Sequence, residues 1–239
     1  MKASVCLATC NRADVLERTL ASIFTQCPGF EWEVIVADDA SEDGTSEVCR
    51  DYSVEYHRID RLPGYRNPAA ARNVAYRAAR GEVVICQSDD VLHTRLDTID
   101  RLVGDLEPGK FLIATVTNVN ENGKPYGDRA GKGWGDGLVE YTGHRHRRPL
   151  FFLGSLWRRD LYAVGGNDEE FIGPGYDDDW FAACLVDGLG LEAAYSSKII
   201  GHHQHHQHTQ DWRGVEMSRE LFKQKMASGV FCSSGGPWV

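Results

Sequence analysis

Short apolar runs alternate with helical segments through the first half of the chain, and this alternation constrains the fold most. The runs 3–9, 33–37 and 82–87 have the length and composition of buried strands. Segment 13–26 places its apolar residues on one helical stripe, and the alanine-rich segment 68–80 begins with Pro and is followed by Gly. Strands that alternate with helices at this spacing predict an α/β fold with a mixed, mostly parallel central sheet flanked by helices.

Polar clusters follow three of the predicted strands. They are Thr9–Arg12, Asp38-Asp39 and Ser88–Asp90. In open α/β sheets, ligands bind in the crevice at the carboxyl ends of the strands. The sequence therefore predicts that these three clusters meet at one ligand site.

The second half of the chain has a less regular pattern. We expect a helix over 92–106, a strand over 111–119, a turn at Asn122-Gly123 and helices over 178–188 and 215–227. The segment 127–149 is rich in Gly and basic residues and contains Trp134, which predicts a mobile loop over the site. A short helix from about Thr45 and a strand near 54–59 complete the first half. Without a convincing linker, we expect one domain over 1–239.

Charge and composition exclude several classes of protein. The net charge of −9 argues against a general binder of nucleic acid or anionic membranes. There is no run of about 18 apolar residues, so we expect no transmembrane segment. Seven cysteines form no CxxC pair, and the N-terminus lacks a charged-then-apolar leader, so we expect a cytoplasmic protein.

Two pairs of acids are candidate ligand-binding residues. Carboxylates at a strand end, such as Asp89-Asp90, suit a hard divalent cation, although a helix cap explains them equally. Asp38-Asp39 could accept hydrogen bonds from a base or a ribose hydroxyl, and the alternative is an Asp-rich turn.

Four segments occur in order at suitable spacing: 4–26, 34–45, 69–90 and 154–181. Together they resemble the inverting family 2 glycosyltransferases of the GT-A fold, over roughly residues 3–205. The resemblance implies a single Rossmann-like domain, with a nucleotide-sugar-binding half over about 1–110, an acceptor-binding half over about 111–208 and a C-terminal helix and tail. It further implies Mn²⁺ or Mg²⁺, a nucleoside-diphosphate sugar donor (UDP-sugar favoured) and an acceptor hydroxyl.

On the donor side, the resemblance makes Asp39 the base-reading carboxylate and Asp89 the metal ligand. The family's Asp-x-Asp motif falls on Gln87-Ser88-Asp89, so Gln87 departs from it by lacking the first acid. This departure weakens the expected ribose contact. The donor-binding residues implied by the resemblance are Thr9, Arg12, Asp39, Arg72, Gln87, Ser88 and Asp90.

On the acceptor side, the resemblance makes Asp178 the general base, with Asp179 as its nearest rival and Asp177 beside them. Adjacent acids repel one another, which raises the apparent pKa toward useful basicity; the alternative is a solvated helix N-terminus. The segment Gly165–Glu169 is similar to the family's acceptor-side turn, and the family's downstream Arg falls on Cys184. Trp157 and Trp180 are candidate acceptor contacts, although core packing is the default for them and for Trp212.

The segment 202–208 is rich in histidine. Similar enzymes often complete the metal site with a His after the last core strand, which makes His202 the first choice here and His205 the second. The alternative is a surface cluster with one ligand or none. The basic run His144–Arg148 could steer a phosphate-bearing substrate or form a solvated loop.

Two other functions compete with sugar transfer. A nucleotidyltransferase acting on a sugar phosphate usually has a Gly-rich loop after its first strand, whereas this chain has Thr9–Arg12. A catalytically inactive module that binds a nucleotide-sugar or metal would explain Gln87. The acceptor stays open among a glycan, lipid, protein, small molecule or modified nucleic-acid base.

Overall fold

The computed structural model describes residues 1–60, 67–126, 140–206 and 211–239. Within these ranges a single mixed sheet forms the centre of the molecule, in the order β3-β2-β1-β4-β8-β6-β9-β5, with β7 paired to β6. The strands are β1 Ala3–Thr9, β2 Trp32–Asp38, β3 Glu55–Arg58, β4 Val83–Ser88, β5 Val91–His93, β6 Lys110–Asn118, β7 Glu140–Thr142, β8 Leu153–Trp157 and β9 Glu192–His203. The helices are α1 Ala13–Phe24, α2 Thr45–Asp51, α3 Ala69–Ala78, α4 Thr98–Gly104, α5 Arg158–Val164, α6 Asp177–Ala183 and α7 Trp212–Ser228.

The first half of the sheet is parallel: β1 pairs with β2 and β4, and β2 pairs with β3. From there β8 runs antiparallel to β4, and β9 runs parallel to β6. This arrangement confirms the predicted α/β class. It also brings the ends of β1 and β4 side by side, because Ala8 pairs with Ser88 in register.

Apolar side chains pack on both faces of the sheet because successive strand residues point to opposite faces. Cys6 joins the cluster that contains Tyr76 and Phe181, whereas Leu7 joins the cluster that contains Leu16 on α1. The helices α3 and α6 therefore cover one face, and α1 and α4 cover the other.

Two of the expected helices in the second half differ from the structure, and one expected turn is confirmed. The predicted helix 92–106 is wrong at its start, because Val91–His93 forms β5 and pairs with β9 before α4 begins at Thr98. The predicted helix 178–188 begins at Asp177, and its last part, Cys184–Gly188, is a π-helical turn. The turn at Asn122-Gly123 is confirmed by the positive φ of Gly123 and the Val119–Pro125 bridge.

The predicted loop 127–149 lies only partly within the described ranges. Residues 127–139, with Trp134, lie outside the described ranges, as does His208. Glu140–Thr142 forms β7, so this part of the predicted loop is a strand. Among the helices of the described ranges, none combines the length and apolar character needed to cross a membrane.

Candidate active site

A cavity of about 790 Å³ lies at the carboxyl ends of β1 and β4 and extends to the first turn of α6. Its wall comes from the loop after β1, the start of α3 with the residues just before it, β7, and the end of β9 with the residues just after it. Charged wall residues are Arg12, Asp14, Arg72, Asp90, Asp177, Asp178, Asp179 and Arg148, with the imidazoles of His203 and His206. The structure therefore brings the acids of both halves into one cavity.

The acids after β4 lie in the tight turn that leads into β5. Asp89 and Asp90 are both buried. The Nη1 group of Arg12 donates to Asp89 Oδ1 at 3.0 Å and to Asp90 Oδ2 at 2.9 Å. The hydroxyl of Ser88 donates to Asp90 Oδ1 at 2.7 Å, which leaves Oδ2 facing the end of β9.

Two imidazoles meet Asp90 from the end of β9. His206 Nε2 lies 3.0 Å from Asp90 Oδ2, and His203 Nε2 lies 3.4 Å from it. The ring of His203 is held on its other side, because Nδ1 lies 2.9 Å from the Oδ1 atom of Asn118. An amide oxygen only accepts hydrogen bonds, so Nδ1 carries the proton and Nε2 faces Asp90.

These three side chains form a donor set suited to a divalent cation. Each of Asp90, His203 and His206 offers one ligand atom, and the atoms all lie within 4.8 Å of one another. One carboxylate oxygen and two imidazole nitrogens suit a first-row divalent metal such as Mn²⁺. The orientation of His203 by Asn118 is the kind of outer contact that metal-binding histidines have. The residues present fit the implied ion.

The donor set differs from the predicted metal ligands, because Asp89, His202 and His205 are not among its three residues. Alternation along β9 explains why His202, the first choice, is not in the donor set. His202 pairs with Leu92, and its side chain points to the opposite face from that of His203. His205 is exposed, and its ring lies edge-on to that of Tyr126 at 6.3 Å.

Burial raises the pKa of Asp90, but the neighbouring imidazoles and Arg12 outweigh it and hold this pKa well below its usual range. Asp90 is therefore ionised at neutral pH. At Asp89, burial dominates and raises the pKa, although the Arg12 guanidinium opposes it. The pKa is thus raised at Asp89 and lowered at Asp90, so Asp90 is the more readily ionised of the two acids.

Gln87, the residue that departs from the acidic motif, is not part of the cavity wall. It is 3% exposed. Its amide Nε2 donates to Val91 O at 2.7 Å and to Ser88 O at 3.2 Å, and its Oε1 lies 3.0 Å from His93 Nε2. Burial lowers the pKa of His93 to about 4, so this imidazole is neutral and donates to Gln87. Gln87 therefore braces the turn that carries Asp89 and Asp90.

The second acidic cluster occupies the first turn of α6. Arg72 on α3 donates to Asp178 Oδ1 at 2.6 Å and reaches Asp177 Oδ2 at 3.4 Å. Arg148 binds Asp179 with both Nε, at 3.1 Å, and Nη2, at 2.7 Å. Burial, followed by the charge of Asp178, raises the pKa of Asp177 to about 6. The three acids thus differ in their partners: Asp178 is bound by Arg72, Asp179 is bound by Arg148, and Asp177 has a raised pKa.

The remaining predicted residues divide between site and core. Thr9 and Asp39 are buried at the ends of β1 and β2 and are not part of the cavity wall. Trp180 is 1% exposed and belongs to the core, so it cannot contact an acceptor. Trp157 packs against the other core cluster and is also absent from the wall. Trp212 is 55% exposed, so core packing does not apply to it.

Sequence reasoning missed His203, His206 and Arg148 as site residues. Strand alternation up to the end of β9 would have favoured His203 over His202. Arg148 lies in the basic run 144–148, but no local signal connects it to Asp179 on a distant helix. Tyr141 also lines the cavity, and its ring stacks on His203 at 5.6 Å between centroids.

The turn Gly165–Glu169, which follows α5, is held by the C-terminal segment. The buried Asp168 accepts from Ser234 Oγ at 2.7 Å and pairs with Lys225 Nζ at 2.8 Å. Asn73 on α3 donates to Asn167 O at 2.8 Å. Helix α7 and the tail therefore support the predicted acceptor-side turn from outside.

Comparison with known proteins agrees with this geometry. The model of glycosyl transferase family 2 matches residues 4–165. An uncharacterised glycosyltransferase of Bacillus subtilis, YfnE, is 39% identical over 93 residues, covering 38% of this chain and 24% of YfnE. Escherichia coli chondroitin synthase is 25% identical, covering 93% of this chain and 38% of its own length. The chain thus spans well under half the length of these two relatives.

Solved structures share the fold. Staphylococcus aureus TarS (residues 1–349) in complex with UDP superposes with a TM-score of 0.65 at 19% identity, covering 95% of this chain and 65% of TarS. The Pyrobaculum calidifontis mannosyltransferase PcManGT, in complex with GDP-Man and Mn²⁺, gives 0.62 at 23% identity, covering 95% and 63%. Glucosyl-3-phosphoglycerate synthase of Mycobacterium tuberculosis, with Mn²⁺ and UDP, gives 0.62 at 17%, covering 99% and 81%.

The family match spans more than half of the chain, and the solved structures named above share its fold. The chain belongs to glycosyl transferase family 2 and has the GT-A fold.

Proposed function

We propose that this protein transfers one sugar from a nucleoside-diphosphate sugar, with UDP-sugar favoured, to an acceptor hydroxyl with inversion at the anomeric carbon. The observation that carries the proposal is the shared cavity, whose wall includes both Asp90 with its two imidazoles and the acids of α6. The residues for the cation beside the leaving diphosphate and the acid that would take the acceptor's proton therefore line the same cavity. Relatives with this fold have been crystallised with UDP or GDP-Man, which supports the donor class.

The ion of this reaction, Mn²⁺ or Mg²⁺, would be held by Asp90, His203 and His206. When bound, such an ion neutralises charge on the departing diphosphate. Asp90 is suited to the task because it is ionised and buried. Mn²⁺ is favoured over Mg²⁺ because two of the three ligands are imidazole nitrogens, whereas Mg²⁺ prefers oxygen.

Asp178 is the proposed general base. Arg72 binds its Oδ1 atom and orients the carboxylate, which leaves Oδ2 to accept the proton. The acceptor oxygen forms a bond to the anomeric carbon, and the bond from that carbon to the donor's phosphate oxygen breaks. The electron pair leaves with the nucleoside diphosphate, and the acceptor proton goes to Asp178.

Asp179 is the less suitable base because both of its oxygens are engaged by Arg148. To accept a proton, Asp179 would have to give up part of this bidentate ion pair. It would then lose hydrogen bonds that orient its carboxylate. Burial raises the pKa of Asp177 to about 6, so this carboxyl would be partly protonated near neutral pH. The geometry favours Asp178.

The other donor contacts follow from the end of the parallel sheet. We propose that Asp39, at the end of β2, meets the base, and that Arg12, Arg72 and Ser88 approach the phosphates and ribose. Thr9 is buried at the end of β1. In place of the family's first acid, Gln87 acts on the turn and not on the ribose.

A donor panel tests the proposal. Purified protein is incubated with UDP-, GDP-, dTDP- and CMP-sugars, with Mn²⁺, Mg²⁺ or EDTA, and the released nucleotide is quantified. We expect cation-dependent release of one nucleoside diphosphate, accelerated by glycan, lipid or small-molecule acceptors. Release of pyrophosphate would instead indicate a nucleotidyltransferase, and donor binding without turnover would indicate an inactive module.

The Asp178→Asn variant tests the base. We expect kcat to fall by about 10²–10⁴-fold with donor affinity nearly unchanged, because Asn keeps an oxygen for Arg72 but takes up no proton. Asp187→Asn is the matched control, since Asp187 is exposed in the turn after α6 and is not part of the cavity wall. Full activity of Asp178→Asn would refute the assignment.

A further inference from the structure

Arg12 is bound to an atom that the cation would use, Asp90 Oδ2. Its Nη1 group donates to Asp89 Oδ1 and Asp90 Oδ2, and its Nη2 lies 3.5 Å from His206 Nδ1. The Asp90 Oδ2 atom is also the one that faces the imidazoles of His203 and His206. The guanidinium therefore serves as the counter-ion of the candidate metal site.

This arrangement has an electrostatic reason. Two buried carboxylates that are adjacent in the chain repel each other, and a nearby positive charge stabilises both. In the structure Arg12 supplies that charge from its position just before α1. A divalent cation on Asp90 and His206 would supply it too, but it would share the Asp90 Oδ2 atom with the guanidinium and would lie close to it. Like charges on shared ligands repel, so the two cations compete.

Arg12 also has an anionic partner available once it leaves the carboxylates. Its side chain is 34% exposed, whereas those of Asp89 and Asp90 are 7% and 5% exposed. It lines the cavity in which the donor diphosphate would lie. A guanidinium binds phosphate oxygens well, often through two parallel hydrogen bonds.

We infer that Arg12 is a positioning residue that couples cation binding to diphosphate binding. Without ligands it holds Asp89 and Asp90 and lowers the affinity of the site for the cation. When the cation binds, Arg12 is released from the carboxylates and binds the diphosphate of the donor. This inference rests on the proposed function, because it uses the proposed cation and diphosphate.

The coupling predicts effects of opposite sign for one substitution. Arg12→Gln removes the competing charge, so the protein without donor should bind Mn²⁺ about tenfold more tightly or better. The same variant should bind UDP or GDP, whichever the donor panel releases, about tenfold more weakly at saturating Mn²⁺. Loss of structure alone would weaken both Mn²⁺ binding and nucleotide binding, and it could not tighten Mn²⁺ binding.

The experiment titrates the full chain with Mn²⁺ alone and follows the free ion by electron paramagnetic resonance. Arg101→Gln is the matched control, because it removes the same charge from α4, where Arg101 pairs with Asp97. Arg12→Met keeps most of the aliphatic stem and replaces the Gln variant if that variant fails to fold by circular dichroism. Asp90→Asn establishes which bound Mn²⁺ belongs to the site.

The outcomes separate the inference from the proposed function. Tighter Mn²⁺ binding by Arg12→Gln or Arg12→Met, with no change in Arg101→Gln, supports the coupling. If Mn²⁺ binds the wild type through Asp90 with the same affinity as the Arg12 variants, the coupling is wrong and the metal site stands. If Mn²⁺ binding is absent from all of these proteins, or is unaffected by Asp90→Asn, the proposed metal site is wrong and the coupling falls with it.

Discussion

Replacing Gln87 by Asp would restore the acidic residue that the family motif has at this position. The structure predicts that this restoration damages the protein. Gln87 donates to Val91 O and Ser88 O through its amide, and both contacts lie at a residue that is 3% exposed. Aspartate is one methylene shorter and has no N–H group, so both carbonyl groups would lose this donor.

The size of the effect follows from those two contacts. A buried acceptor left without its donor costs about 1–3 kcal/mol. The contact to Val91 is 2.7 Å and the contact to Ser88 is 3.2 Å, so the second contributes at the lower end. We therefore expect the free energy of unfolding of Gln87→Asp to fall by about 2–4 kcal/mol at pH 7. For a chain of this length, that is a fall in Tm on the order of 10 °C.

The assay measures urea unfolding and Mn²⁺ affinity on the same preparations. The turn braced by Gln87 carries Asp90, so Mn²⁺ affinity should fall about tenfold or more. Gln26→Asp is the matched control: Gln26 is 4% exposed, donates to Arg95 O at 2.7 Å and accepts from Thr98 N at 2.9 Å. It is not part of the cavity wall, so its variant should lose stability but keep its Mn²⁺ affinity. A Gln87→Asp protein as stable as the wild type, with tighter donor binding, would refute the reasoning.

Three further predictions concern the support of the turn Gly165–Glu169. Lys225→Met should lower the free energy of unfolding at pH 7 by about 3–5 kcal/mol, because Asp168 is fully buried, and adding Asp168→Asn should recover part of the loss in urea unfolding. Burial raises the pKa of Asp168, but Lys225 and Ser234 outweigh it and lower this pKa, so the pair's stabilisation is present above the ordinary Asp pKa of about 3.9 and is lost as pH falls through the lowered value. Unfolding from pH 7 to pH 2 should therefore show an acid-dependent loss that is smaller in Asp168→Asn, and equal slopes would contradict it. Gly166→Ala should lower the Tm, because a Cβ would lie 2.3 Å from the Trp238 ring at a φ of +69°, whereas Gly104→Ala, with open space around it, should not; equal Tm values for the two variants would count against this packing.

Much of the first half of the fold was predictable because its signals are local. The run 3–9 forms β1 over the same residues, and the stripe beginning at Ala13 forms α1. Their apolar periodicity specifies both the element and the face that packs on the core. The parallel order that follows places the polar clusters at one edge of the sheet, so the general position of the site could be inferred as well. The acids Asp177–Asp179 were identified through the family resemblance and not through the strand pattern.

The tertiary structure decided which side chains face one another. His206 and Arg12 meet although 194 positions separate them, and Arg148 binds Asp179 across 31 positions. β5 forms where a helix was expected because the end of β9 pairs with it, a contact that local propensity cannot contain. That pairing sets the face of the sheet to which the His203 side chain points. The packing of α6 on the sheet likewise buries Trp180 in the core. The sequence by itself thus determined the elements and the edge of the sheet that carries polar groups, whereas long-range strand pairing and ion pairing determined the partners, because those energies depend on distances that only the folded chain defines.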